Sequence, residues 1–121
     1  MANEISLTAS LTATKNNASA TVSKTGLAVT MTGTNMLHKV ASIGTSEEAL
    51  DLGDCGTGGW FMAKNLDDTN FVSIRQGTGA SDLIRLRAGE VCLFRLDADA
   101  TAPYIIADTA SVDVEYLLLE D

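Results

Sequence analysis

Between residues 58 and 96 the chain runs GGWFMAKNLDDTNFVSIRQGTGASDLIRLRAGEVCLFRL. Four short apolar runs stand out: Trp60-Phe61-Met62-Ala63, Phe71-Val72-Ser73-Ile74-Arg75, Leu83-Ile84-Arg85-Leu86 and Val91-Cys92-Leu93-Phe94-Arg95-Leu96. Each is too short for an ordinary helix, and each is bounded by Asn, Asp or Gly. That is the pattern of consecutive antiparallel strands. The spacing predicts two successive hairpins, one turning at Asn65-Leu66-Asp67-Asp68-Thr69-Asn70 and one at Arg87-Ala88-Gly89-Glu90. The glycine-rich bend Gln76-Gly77-Thr78-Gly79 joins them. These four strands are expected to supply the middle of the core.

The opening segment carries the cleanest period. Ile5, Leu7, Ala9, Leu11 and Ala13 alternate with Ser6, Thr8, Ser10, Thr12 and Thr14, a strand with one apolar and one hydroxyl face. A helix is disfavoured because the apolar positions do not recur at three and four. Lys15-Asn16-Asn17 reads as a turn, a second strand follows around Ala20 and Val22, and Lys24-Thr25-Gly26 reads as a break. A third strand holds Leu27, Val29 and Met31, and a fourth covers Met36–Ile43. Residues 45–50 suit either a short capped helix or, at 48–52, an edge strand. After a glycine-rich loop and the 58–96 stretch, Pro103 leads into Tyr104-Ile105-Ile106-Ala107, and a last alternating strand spans 112–119.

About eight to ten short strands predict an all-β, antiparallel, jelly-roll-like β-sandwich. It is expected as a single domain over 1–121, with 1–14 an edge strand or one exchanged at an interface. The expected core members are Ile5, Leu7, Leu11, Trp60, Phe61, Val72, Ile74, Leu86, Phe94, Ile105, Val114 and Tyr116.

The net charge of −8, from 16 acidic and 8 basic side chains, repels nucleic-acid phosphate and argues against direct nucleic-acid binding. All four arginines fall between Arg75 and Arg95, which leaves a local basic face open there. Cys55 and Cys92, far apart and outside any CxxC, form neither a zinc framework nor a disulfide scaffold and are expected reduced. The opening MANEISLT lacks the basic and apolar regions of a secretory signal, and no run approaches the ~18 apolar residues of a membrane helix. Synthesis in a reducing cytoplasm and no membrane association are the expectations.

Little in the sequence can carry chemistry. His38, the single histidine, sits in a strand with no signature around it and reads as a partly exposed strand or interface residue. Asp67-Asp68-Thr69-Asn70 and Asp97-Ala98-Asp99-Ala100-Thr101 lack the glycine and closing glutamate of a calcium loop and read as solvated turns. Gly77-Thr78-Gly79 lacks the lysine and helix of a phosphate loop. A glycan-binding module would need an aromatic platform, for which only Trp60, Tyr104 and Tyr116 are available. The residues thus predict no enzyme, no metal and no organic cofactor.

The segment Lys64-Asn65-Leu66-Asp67-Asp68-Thr69-Asn70-Phe71-Val72, followed by Ile84-Arg85-Leu86-Arg87-Ala88-Gly89-Glu90, resembles a pattern in small structural proteins of tailed bacteriophages. There a K-N-x-D-x-x-N turn precedes a hydrophobic-basic-L-x-A-G-E turn, and a closing strand like Val114-Glu115-Tyr116-Leu117-Leu118 follows. The opening strand and residues 44–53 fit the same group. The resemblance implies a non-enzymatic virion component on the capsid surface, a decoration or cement protein that binds the major capsid protein. Head fibres and tail or baseplate modules are the alternatives within the group. It also implies self-association, with a trimer as its best guess. Two surfaces are candidates for contact: Ile5, Leu7 and Leu11 of the uncharged opening strand, and Arg75, Arg85, Arg87 and Arg95.

Overall fold

A computed structural model describes residues 3–97 and 103–121; they are all-β, with ten strands in antiparallel sheets and no helix among them. Contacts divide the chain into two compact units, Met1–Thr32 and Gly33–Asp121. The sandwich expected over 1–121 is built from strands of the second unit, while the first is a two-stranded ribbon.

In the ribbon, β1 (Ile5–Lys15) pairs with β2 (Ala18–Val29) through a two-residue turn. Asn16 (φ 51°) and Asn17 (φ 68°) both adopt the left-handed conformation that a tight hairpin turn of matching twist demands. The break expected at Lys24-Thr25-Gly26 is instead a bulge. The register shifts there, Gly26 takes φ 67°, and its N–H donates to Thr8 Oγ1 at 3.2 Å. Val22 and Leu27 are five residues apart, an odd spacing that would put them on opposite faces of a regular strand. The extra residue corrects the parity, so Leu27 and Val29 share a face with Val22 and Ala20. The two strands read from the sequence are therefore one.

The second unit holds β3 (Met36–Ile43), β4 (Glu48–Ala49), β5 (Gly58–Asn65), β6 (Val72–Arg75), β7 (Asp82–Leu86), β8 (Val91–Arg95), β9 (Tyr104–Ala107) and β10 (Val112–Glu120). They form two sheets, ordered β3-β10-β5-β8 and β4-β9-β6-β7. The pairing is nested: first strand with eighth, second with seventh, third with sixth, fourth with fifth. The inner faces of both sheets meet in one core that includes Ile43, Phe61, Val72, Ile74, Leu86, Ile105, Val114, Tyr116 and Leu118. Phe61 anchors it, its ring 5.2 Å from Phe94 and 5.6 Å from Tyr116. The Tyr116 hydroxyl escapes the apolar core by donating to Asp51 O at 2.7 Å.

Neither expected hairpin of the 58–96 stretch forms. β5 and β6 lie in different sheets, as do β7 and β8, so the Asn65–Asn70 and Arg87–Glu90 turns are corners between layers. The hairpin in that stretch is β6–β7, turning through the bend where Gly79 has φ 69°. β7 and β8 consequently lie at sheet edges rather than in the middle. At 45–50 the edge-strand alternative prevails, as the short β4 pairs with β9.

Seven of the expected core residues are buried: Phe61, Val72, Ile74, Leu86, Ile105, Val114 and Tyr116. Leu11 is not; it is 77% exposed, and Ile5 and Leu7 are half-buried, because the two-stranded ribbon has no second layer within its own unit. Trp60 and Phe94 are also half-buried: Trp60 sits on the opposite face of β5 from Phe61, and Phe94 on the edge strand β8. The acidic run after Asp97 lies outside the described residues.

Candidate interaction surfaces

The motifs that carry the phage resemblance meet at one corner of the sandwich, and Asn65 is its hub. Its side chain is fully buried. Nδ2 donates to Asn70 O at 2.9 Å and to Leu86 O at 3.0 Å, while Oδ1 accepts from Asp67 N at 2.8 Å. The Asn65 N–H donates to Glu90 O at 2.9 Å, and its carbonyl accepts from Gly89 N at 3.2 Å. Asp67 then caps the loop, accepting from Thr69 N and Asn70 N, and these two bonds hold its carboxyl below the usual range. At the facing turn Glu90 Oε1 accepts from Arg87 N at 2.7 Å, and Gly89 supplies the φ of 78° that a side chain would resist. Asn65, Asp67, Gly89 and Glu90 therefore each have a local structural task. The corner is a joint between layers, not a binding pocket.

Glu120 is a second joint. Its carboxylate accepts backbone N–H bonds from Thr34, Asn35 and Gly56, at 2.8–3.0 Å, which pull its pKa down to about 2. A Cβ at Gly33 would come within 2.3 Å of Glu120 Cγ, so glycine is needed where the chain enters the sandwich.

Of the surface residues read from the sequence, Ile5, Leu7 and Leu11 share one face of the ribbon with Val22, Leu27 and Val29. The other face is hydroxyl-lined; Thr12 Oγ1 bonds Thr21 Oγ1 at 3.0 Å and Thr14 bonds Ser19 at 3.3 Å. Of the arginines, Arg75 and Arg95 line one cavity, and both are paired with carboxylates. Arg75 is bound internally by Asp82 and by Glu47 at 2.7 Å, and Glu47 also accepts from Gly79 N. The paired guanidinium holds the Glu47 carboxyl below its ordinary value. Arg85 lies 4.0 Å over the Phe71 ring. Arg95 belongs to the opposite sheet and pairs with Asp121 at 2.8 Å. Arg87 is exposed in the β7–β8 corner.

A further surface was not visible in the sequence. The outward side of β3-β10-β5-β8 exposes Met36 (64%), Val40 (56%), Met62 (45%), Val91 (52%) and Leu117 (38%). Leu117 stands between His38 and Met62 in register, and Leu93 follows on β8, so an apolar row spans β10, β5 and β8 and ends at His38 on β3. Both signs of charge interrupt or flank it: His38 Nε2 lies 2.7 Å from Glu115 Oε2, and Lys64 is opposite Glu115. Apolar residues on both faces of β3 and β10 were the available signal, but alternation alone does not say which face is covered.

His38 is exposed and paired with Glu115, and no cluster of three His, Cys, Asp or Glu able to hold a metal occurs among the described residues. Cys55 is buried and Cys92 half-buried, both as free thiols pushed up by burial. No described helix is long and apolar enough to cross a membrane. No family model matches the chain, and neither the curated proteins nor the solved structures compared with it give a match.

Proposed function

We propose that this chain is a non-enzymatic virion component of a tailed bacteriophage, a capsid decoration or cement protein that binds and stabilises the major capsid protein lattice. The observation that carries the reading is the exposed apolar row on the rigid β3-β10-β5-β8 sheet. A row of Met, Val and Leu on a paired sheet suits a fixed protein partner, because apolar patches of this kind mark contacts and methionine adapts to them. The carrier is acidic, at −8, so apolar contact rather than charge does the docking. The motif corner built on Asn65 adds the phage resemblance, and the nested pairing of the eight strands supports a jelly-roll reading of the sandwich. Self-association, with a trimer as the expected state, belongs to the same reading, as do the absence of direct nucleic-acid or membrane binding and a place on the capsid surface.

Co-sedimentation with assembled shells of the major capsid protein tests it. Wild-type protein pellets with the shells, and M62K/L117K, which puts two charges into the apolar row, stays in the supernatant. Equal binding by both proteins, or binding by neither, rejects this surface as the capsid contact. The glycan-binding alternative is weakened by Trp60, which is half-buried with its Nε1 shielded.

A further inference from the structure

Four strands edge the sandwich, and three of them are guarded. β3 carries His38 and Lys39, β4 is two residues long, and β7 has a register shift and carries Asp82 and Arg85. Charges, brevity and bulges are devices that keep an edge from pairing with another chain. β8 lacks them over its first four residues. Val91-Cys92-Leu93-Phe94 is uncharged, contains no proline and pairs with β5 without a shift. Its one charge, Arg95, ends the strand and is paired with Asp121. β7 and β8 are edges of the two layers and are joined at the Arg87–Glu90 corner. Away from that corner Leu83, Ile84, Phe94 and Leu96 help to line a cavity of about 350 Å³, with Arg75 and Arg95 in its wall. Leu83 is 77% exposed, so the cavity opens to solvent beside the bare edge. We infer that β8 receives an extended segment of a partner protein as an added strand, with one aromatic side chain of that segment seated in the cavity.

Strand parity places the ring. Phe94 stands opposite Phe61 and shares its inward face, whereas Leu93 and Arg95 lie on the other side of the sheet. A residue paired opposite Phe94 on the free side of β8 therefore projects between the layers, where the cavity lies. Size favours one side chain over a whole small ligand. An apolar cavity of roughly 150 Å³ takes a benzene ring, whereas sites for drug-sized ligands run from about 300 to about 1,000 Å³. At about 350 Å³ this cavity has room for a ring and its stem and lies at the foot of the ligand range. Charge selects an uncharged guest. Arg75 donates to Asp82 and Glu47, Arg95 pairs with Asp121, and Asp97 is also in the wall. An entering carboxylate would meet the acids that already hold both guanidiniums. What a guanidinium fixed in its plane still offers is its face, and an aromatic ring is the group that stacks on it.

This inference does not rest on the virion reading, since it uses the β8 edge and the cavity rather than the Met62 and Leu117 row. NMR titration of the full chain with alternating Thr-Val peptides of about nine residues, long enough to span β8, tests it. One peptide carries a central Phe, one a central Ala, and one the Phe with N-methylated amides. The Phe peptide is expected to shift the signals of Leu83, Ile84, Phe94 and Leu96 and to slow exchange at the β8 amides not bonded to β5. It binds at least about ten-fold more tightly than the Ala peptide, as burial of a ring requires. N-methylation, which removes the strand's donors, abolishes binding. L83K, at an exposed position that leaves the fold intact, and I84W, which fills the cavity from its wall, weaken binding. M62K/L117K leaves it unchanged. No binding of the Phe peptide at about 5 mM, a level that populates even millimolar complexes, would overturn the inference. So would equal binding of the Ala peptide, or unchanged affinity in both L83K and I84W. Equal binding after N-methylation would replace it with a pocket for small aromatics only. Slow exchange at the same β8 amides without peptide would overturn it in favour of a second copy on that edge. Failure of the virion reading would look different: the peptides behave as expected and no capsid shell is bound.

Discussion

Replacing Asn65 by alanine should destabilise the sandwich more than any other single polar substitution in the chain. The side chain is fully buried and makes three hydrogen bonds, two as donor to the Asn70 and Leu86 carbonyls and one as acceptor from Asp67 N. Each bond is worth ~1 kcal/mol net, and a buried carbonyl left without a donor costs ~1–3 kcal/mol. The Leu86 carbonyl is the exposed liability, because its bond to Asn65 is buried and no solvent can replace it cheaply. The total for N65A is ~3–5 kcal/mol, a large share of the ~5–15 kcal/mol that a domain has. For a unit of this size, at roughly 5 °C per kcal/mol, that lowers Tm by roughly 15–25 °C. Urea denaturation followed by Trp60 emission reads the change in the unit that contains the corner. N65D is the control for direction. It keeps the acceptor for Asp67 N but points a carboxylate oxygen at two carbonyls, so at neutral pH it should be no more stable than N65A. A loss below ~1 kcal/mol for N65A, or a clearly more stable N65D, would refute the view that two amide donors hold the corner together.

Three further outcomes are expected. Glu120 titrates near 2 in the fold against an ordinary 4.5, so its contribution is present above about pH 4.5 and lost as pH falls from there through about 2. Denaturation midpoints measured across that window should fall for the wild type and fall less for E120Q; superimposable profiles would exclude Glu120 as a source of the acid sensitivity. Trp60 should emit at short wavelength, resist acrylamide quenching and ignore added sugars, whereas a red-shifted band that moves with a sugar would revive the glycan reading. Alkylation after unfolding without reductant should add two adducts, at Cys55 and Cys92, and buried Cys55 should react slowly in the native protein; a missing pair of adducts would mean a disulfide.

The fold class was legible because a period of two survives in nearly every segment, and the inward members Phe61, Val72, Ile74, Val114 and Tyr116 follow from it. Strand pairing was not. Asn, Asp and Gly serve a hairpin and a corner between sheets with the same local hydrogen bonds, so the Asn65–Asn70 turn reads alike in either role. What makes it a corner is the Leu86 carbonyl, 21 residues away, which no local pattern reveals. Parity was the neglected clue at the ribbon: the odd spacing from Val22 to Leu27 announces a bulge as well as it announces a break. The ion-pair partners of the arginines were hidden for a related reason. Arg75 is spaced like its neighbours in sequence but is claimed by Glu47, 28 residues earlier, and by Asp82. Burial of an alternating face is likewise decided by what packs on it, so Leu11 and Leu118 carry equally apolar side chains and end at 77% and 0% exposure.

We propose that this chain works as part of a virion, on the outside of its capsid. Electron microscopy of the native particle tests it most directly, with the sandwich of Gly33–Asp121 as the search object. Copies of that sandwich are expected on the capsid surface, grouped in threes about local axes, with the Met62 and Leu117 side of the sheet against the major capsid protein. Density for the sandwich in the tail or baseplate would contradict the capsid assignment, and a particle that lacks the chain altogether would contradict the virion role.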